Sequence, residues 1–133
     1  MVYYFQGMSP ILSRQSRPAQ AAVVTKGVVR AAERLELSNR ALAAILGLSE
    51  ATISRMGSQA YQLDTQGKPY ELAVLFLRLY RSLDALVDGD ITVARAWLRN
   101  DNTALGAAPI SQIESVAGLV NVVAYLDTRR VLV

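Results

Sequence analysis

SNRALAAILGLSEATISRMGSQ, the stretch from Ser38 to Gln59, carries the punctuation of two short helices and the turn between them. The Ser38 hydroxyl can accept a free backbone N–H, so a helix is expected over Asn39 to Leu46. Gly47 follows where a left-handed residue costs least. Ser49 repeats the cap for a helix from Glu50 to about Met56, and Gly57 reads as its stop. Two short helices joined through a glycine turn form a helix-turn-helix. Such a motif needs a small residue in its first helix, and Ala43 supplies it. A larger side chain there would hold the second helix away. Leu42, Leu46, Leu48, Ile53 and Met56 provide the apolar inner face.

Upstream, Ala22, Val23, Lys26, Gly27, Val29 and Ala32 fit a period near 3.6, which predicts a helix from Ala19 to Leu35. Gly27 either weakens that helix or lets another approach closely. Residues 8–18 carry two Pro, three Ser and two Arg without a period, and are expected to form a flexible basic arm. Tyr4-Phe5-Gln6-Gly7 reads as the remnant of a protease recognition site, which would set residues 1–7 apart and make Met8 the native start.

Downstream, Asp64 to Pro69 is polar and turn-rich, and Pro69 suits the first position of a helix. A long helix is expected from about Tyr70 to Val87, with Leu72, Leu75, Phe76, Leu79, Leu83 and Leu86 on one stripe. That stripe is longer than a small domain needs for its own core. Part of the run Leu72, Leu75, Phe76, Leu79 and Leu83, with Val74 and Tyr80 flanking, is therefore expected to contribute to a symmetric homodimer, since two-fold repressors match two-fold operators. Asp88-Gly89-Asp90 reads as a turn whose last residue caps a helix from Ile91 to Arg99. Ser111 and Glu114 have the spacing of a capping box, and Gly118 separates that short helix from Leu119 to Leu126. The only stretch with strand character is Val131-Leu132-Val133. The fold class is all-α, with roughly seven helices.

The order Trp97-Leu98, Asn102, Ala104-Leu105-Gly106, Pro109, Gly118, Val122 and Leu126 resembles the toxin-binding domain of Xre/MbcA/ParS-type antitoxins, with Ala107 where that family carries a second glycine. Residues from about Ala19 to Val87 resemble Xre/Cro-type repressor domains. The resemblance implies a helix-turn-helix domain over residues 19–88 and a toxin-binding domain over residues 89–133. It implies a regulator and inhibitor whose partner is a RES-domain toxin, a protein similar to ADP-ribosyltransferases that acts on NAD. It also implies that the end of the chain lies against the toxin and blocks its site. Asn102, Leu105 and Gly106 of the loop, with Asp127, Arg129, Arg130, Val131 and Leu132 of the tail, are then the expected toxin contacts. The two arginines suit a cleft that holds pyrophosphate. Because the apolar pattern ends at Leu126, this tail is expected to add little to the core. Trp97 reads as a core anchor.

In helix-turn-helix proteins the start of the second helix enters the major groove. The candidate DNA contacts are Ser49, Glu50, Thr52, Ser54 and Arg55, with Arg40 on backbone phosphate. Arg55 can bond guanine bidentately. Glu50 either accepts from a cytosine amine or sits in the first turn favoured by the helix dipole.

The 133 residues fit one compact unit or two small ones, and 52% are hydrophobic. The chain lacks Cys and His, which removes disulfides, thiolate metal sites, the commonest general base and the commonest zinc ligand. Asp88, Asp90 and Asp101 are the nearest approach to a carboxylate cluster, and Asp-Gly-Asp at a helix junction reads as a turn and a cap. Neither catalysis, a cofactor nor a metal is expected. The net charge of +3 is compatible with nucleic acid without requiring it. No apolar run reaches the ~20 residues of a membrane span, and a bacterial cytoplasm is the expected compartment. The alternative reading is a stand-alone helix-turn-helix repressor with a C-terminal dimerisation domain.

Overall fold

A computed structural model describes the backbone of residues 2–132 and the side chains of residues 17–129. Seven helices follow in order: α1 (Val2–Arg34), α2 (Asn39–Leu46), α3 (Glu50–Gly57), α4 (Lys68–Leu86), α5 (Ile91–Arg99), α6 (Pro109–Gln112) and α7 (Val116–Leu132). The fold is all-α, as expected.

The caps expected at Ser38, Gly47, Ser49 and Asp90 are present. Ala41 N–H donates to Ser38 Oγ at 3.0 Å, and Thr52 N–H to Ser49 Oγ at 3.1 Å. Gly47 ends α2 with φ at 71°, in the left-handed region. Asp90 accepts from Thr92 and Val93 at the start of α5. Ala43 is buried where α2 meets α3, and Leu42, Leu46, Ile53 and Met56 fill the space around it. Gly57 does not stop α3. It is the last residue of that helix, and Gln59, two residues on, takes the left-handed turn at φ 65°. The Ala60 N–H then reaches back to the Arg55 carbonyl at 2.7 Å, a bond that closes the helix end.

α1 is longer than the sequence suggests. Its backbone is helical from Val2, so residues 8–18 continue a helix where an aperiodic arm was expected. Extending a formed helix costs less than nucleating one, so the packed half can propagate outward. From Ala21 onward α1 is anchored: Thr25, Val28, Ala31, Ala32 and Leu35 are buried, and the Leu63 N–H donates to Thr25 Oγ1 at 3.0 Å. Gly27 faces the Leu77 side chain, where α1 and α4 pack together.

The α4 stripe has a use different from the expected one. Leu72, Phe76, Leu79 and Leu83 are buried within the chain, and Leu75 is half-buried against them. α4 packs on α1, α2 and α7 at once. The buried members of the stripe are therefore core, because α7 supplies the apolar partner that a second copy was expected to bring. Leu119, Val122, Val123 and Leu126 of α7 are buried in the same cluster as the helix-turn-helix residues. One core crosses the expected boundary at residue 88.

The C-terminal third also departs from expectation. The Ser111–Glu114 box does not form, since Ser111 lies inside the short α6 and its Oγ donates to the carbonyl of Ala108, the residue before that helix. Ser115 caps α7 instead, accepting from the Gly118 N–H at 3.0 Å. α7 runs on to Leu132, so Val131 and Leu132 are helical rather than a strand. A lone strand would leave its backbone groups without a ladder, whereas a helix pairs them internally. Asp127, expected in a free tail, bonds Arg78 and accepts from the buried Ser82 Oγ at 2.9 Å. The first residue beyond the apolar pattern thus ties α7 to α4.

Gly118 lies against the Gln112 backbone at the end of α6. A Cβ at this position would fall far inside van der Waals contact distance of the Gln112 carbonyl oxygen. A backbone atom cannot swing away as a side-chain tip can. Gly118→Ala should cost about 1–3 kcal/mol through overpacking, read as a lower midpoint in chemical denaturation. A midpoint equal to the wild type would refute this contact.

Candidate functional site

Two surfaces gather the residues singled out above. The first is the exposed side of α3. Ser49 both caps the helix and lies 2.9 Å, Oγ to Oγ1, from Thr52, while Arg55 Nη2 donates to Thr52 Oγ1 at 3.1 Å. Ser49, Thr52 and Arg55 therefore form one hydrogen-bonded line along the helix. The first two set the direction of the guanidinium. Glu50, Ser54 and Arg55 are exposed, as is Arg40 near the start of α2. Glu50 occupies the first turn of α3, where the helix dipole favours a carboxylate. An exposed, pre-aimed guanidinium at this position can address guanine or phosphate.

The second surface lies between the loop after α5 and the outer side of α7. Asn102 organises that loop. Its Oδ1 accepts from Ala104 N–H at 3.0 Å and Leu105 N–H at 3.2 Å, and its carbonyl accepts from Gly106 N–H at 2.8 Å. Asn102 and Ala107 pair as an isolated bridge that closes the loop. Gly106 has φ at 86°, whereas Ala107 is absent from the positive-φ positions, so alanine fits where the family carries a second glycine. Asn102 and Gly106 thus shape the loop, and the side chain they present is the half-buried Leu105. Its carbonyl is held by Gln112 Nε2 at 2.6 Å.

Leu105 and Ala104 form one wall of an open groove of about 530 Å³, and Asn121, Ala124, Tyr125, Thr128 and Arg129 of α7 form the rest. Tyr125 stacks on Trp97, with ring centroids 6.3 Å apart at 23°. The Arg129 guanidinium lies 5.0 Å from the centre of the same ring, within cation–π range. Trp97 was expected in the core; it is half-buried at the edge of the core and backs the groove through Tyr125. The groove therefore combines an apolar floor with one cation at its rim.

Leu105 and Arg129 are brought together here. Asp127 is turned toward α4. The side chains of Arg130, Val131 and Leu132 lie outside the described residues. Asn121, Tyr125 and Thr128 were not among the expected contacts. The spacing of Asn121, Ala124 or Tyr125, and Thr128 was the available signal, since it continues one helical face past Leu126.

The chain thus has two parts in architecture, a capped helix-turn-helix and a groove-bearing helical module. Residues 14–78 match the family model for the antitoxin Xre-like helix-turn-helix domain, and residues 82–130 match that for the antitoxin Xre/MbcA/ParS C-terminal toxin-binding domain. The chain belongs to the Xre/MbcA/ParS antitoxin family. No curated protein matches it. Among the described residues, no helix is long and apolar enough to cross a membrane, and no group of acidic residues is placed to hold a metal ion.

Asn102→Ala removes the acceptor for two loop N–H groups and should lower stability by about 1–2 kcal/mol. Asn102→Asp keeps an oxygen at that point and should lose less. Thermal unfolding of the two variants side by side checks the order, and equal loss would argue against the turn as the cause.

Proposed function

We propose that this antitoxin neutralises a RES-domain, NAD-acting toxin through the groove between Leu105 and Arg129, and that it represses its own operon through α3. The observation that carries the first part is the groove itself. It joins the loop and α7 within the region that matches the toxin-binding model, and it offers an apolar seat beside a guanidinium. A toxin segment with an apolar side chain and a nearby carboxylate is complementary to it. α7 continues beyond Arg129 with Arg130, which extends the basic end toward a cleft built for pyrophosphate.

The DNA reading is supported by the exposed Arg55, aimed by Thr52, and by Arg40 on the preceding helix. A two-fold operator calls for two copies of the chain. The homodimer must then form outside the buried α4 stripe, and exposed apolar positions such as Val23 and Val74 are available. The bacterial cytoplasm, where both toxin and operator are met, is the proposed compartment.

Co-expression with the adjacent gene product, followed by purification and NAD measurement, tests the pairing. Leu105→Asp places an unpaired charge in the apolar seat, and Arg129→Glu reverses the rim. Each should weaken toxin neutralisation by about tenfold or more, since burying an unpaired carboxylate and setting like charges face to face both cost on the order of a kcal/mol or more. Full protection of cells by both variants would place inhibition elsewhere on the surface.

On a duplex covering the promoter of its own operon, Arg55→Ala should lose about 1–3 kcal/mol and relax sequence preference, whereas Arg40→Ala should weaken binding evenly across sequences. Gel shifts separate the two patterns. Absence of any shift for the wild type, alone or with toxin, would remove the repressor role.

A further inference from the structure

α1 ends in a Schellman turn that uses glutamate where glycine is usual. Glu36 has φ at 57°. Its N–H donates to the Glu33 carbonyl at 3.0 Å, and the Leu37 N–H to the Ala32 carbonyl at 2.8 Å. Those two bonds are the ones the motif provides. They leave the carbonyls of Arg34, Leu35 and Glu36 to be met from elsewhere, at the negative end of a long helix dipole.

All three are met by α5. Arg95 Nε donates to the Arg34 carbonyl at 2.7 Å. Arg99 Nη2 donates to Leu35 at 2.9 Å and to Glu36 at 2.8 Å. Arg99 Nη1 donates back to the Arg95 carbonyl at 3.2 Å, which orients the fork. Arg95 Nη1 also stands 3.7 Å from Glu36 Oε2. These bonds join residues 61 to 64 apart, from the half that matches the toxin-binding model to the half that matches the helix-turn-helix model. Two residues beyond Glu36 stands Ser38, the cap of α2, followed by Asn39 and Arg40.

We propose that Arg99, supported by Arg95, is a positioning residue for the DNA-reading head, holding the α1–α2 turn so that Arg40 and the start of α2 meet the phosphate backbone in register. This rests on the reading of α2 and α3 as that head. A non-glycine residue in the left-handed region persists only where its surroundings over-determine it. The arginine fork is the part of those surroundings contributed by the C-terminal module. Without it the Leu35 and Glu36 carbonyls turn to water and the turn is loosened. α3 packs on α2, so a displaced α2 carries the reading helix with it. A lysine retains the charge but not the planar fork.

The test uses the full chain as wild type, Arg99→Ala and Arg99→Lys, with three readouts: affinity and salt dependence on the promoter duplex, amide hydrogen exchange, and toxin neutralisation in cells. Arg99→Ala should lose about tenfold in DNA affinity, with a salt slope shallower by roughly one phosphate contact. Exchange should quicken at Ala41 and Leu42, whose N–H groups bond Ser38, while Leu119 in α7 stays protected. Neutralisation should stay within about twofold of the wild type, because the groove does not include Arg99. Arg99→Lys should fall between. Unchanged DNA affinity, unchanged exchange at Ala41 and Leu42, or complete rescue by lysine would each overturn the proposal. If Arg99→Ala loses protection throughout α4 and α7, it has failed to fold, and Arg99→Lys alone then decides by the same DNA and exchange criteria. A wild-type chain that binds no promoter DNA overturns the reading head itself, a result visible before any substitution is made.

Discussion

Burial of α4 on three sides is the constraint from which the remaining structure follows. Phe76, Leu79 and Leu83 are fully buried, and the helix contacts α1, α2 and α7 together. Each such side chain contributes roughly 1.5–3 kcal/mol when taken from water, and among the described residues no other helix serves so many neighbours. The stripe completes the helix-turn-helix core and also gives α7 its seat. The two family-level modules are consequently not two globules on a string. They share a wall, and Asp127 bonding Arg78 and Ser82 fastens α7 to it.

The helix ends are the second organising feature. Glu36, Gln59 and Asp88 all adopt positive φ without being glycine. A left-handed conformation costs an L-residue about 1–2 kcal/mol, so each turn must be held by what surrounds it. At Glu36 the holding groups are two arginines of α5. At Asp88 the Gly89 N–H reaches the Asp84 carbonyl at 2.9 Å and directs the chain into the Asp90 cap. The orientation of α2 and of α5 is therefore set at their entrances, where short loops leave little slack.

The two exposed surfaces share a design. On α3 a guanidinium is aimed by a threonine hydroxyl, and on α7 another is placed over a tyrosine ring. In both cases a long, flexible side chain is ordered before a partner arrives, which lowers the entropy lost on binding. The groove adds Leu105, whose position depends on Asn102 closing its own loop. The two surfaces lie on different helices that share one hydrophobic core.

Local chemistry made much of this legible in the sequence. Ser38, Gly47, Ser49 and Asp90 determine helix ends by bonds that reach only two to four residues, and a linear reading finds them. The periodicity of α4 likewise showed that one face must be buried. What it could not show was by what. A stripe from Leu72 to Leu83 has the same pattern whether a second copy or α7 covers it, because apolar burial has no direction in sequence. Asp127 looked like part of a tail for a similar reason: its partners lie 45 and 49 residues away. Gly118 read as a break between helices, yet it marks the contact of two backbones. Arg95 and Arg99 gave no signal at all, since a carbonyl is present at every residue and only the folded chain decides which ones an arginine meets.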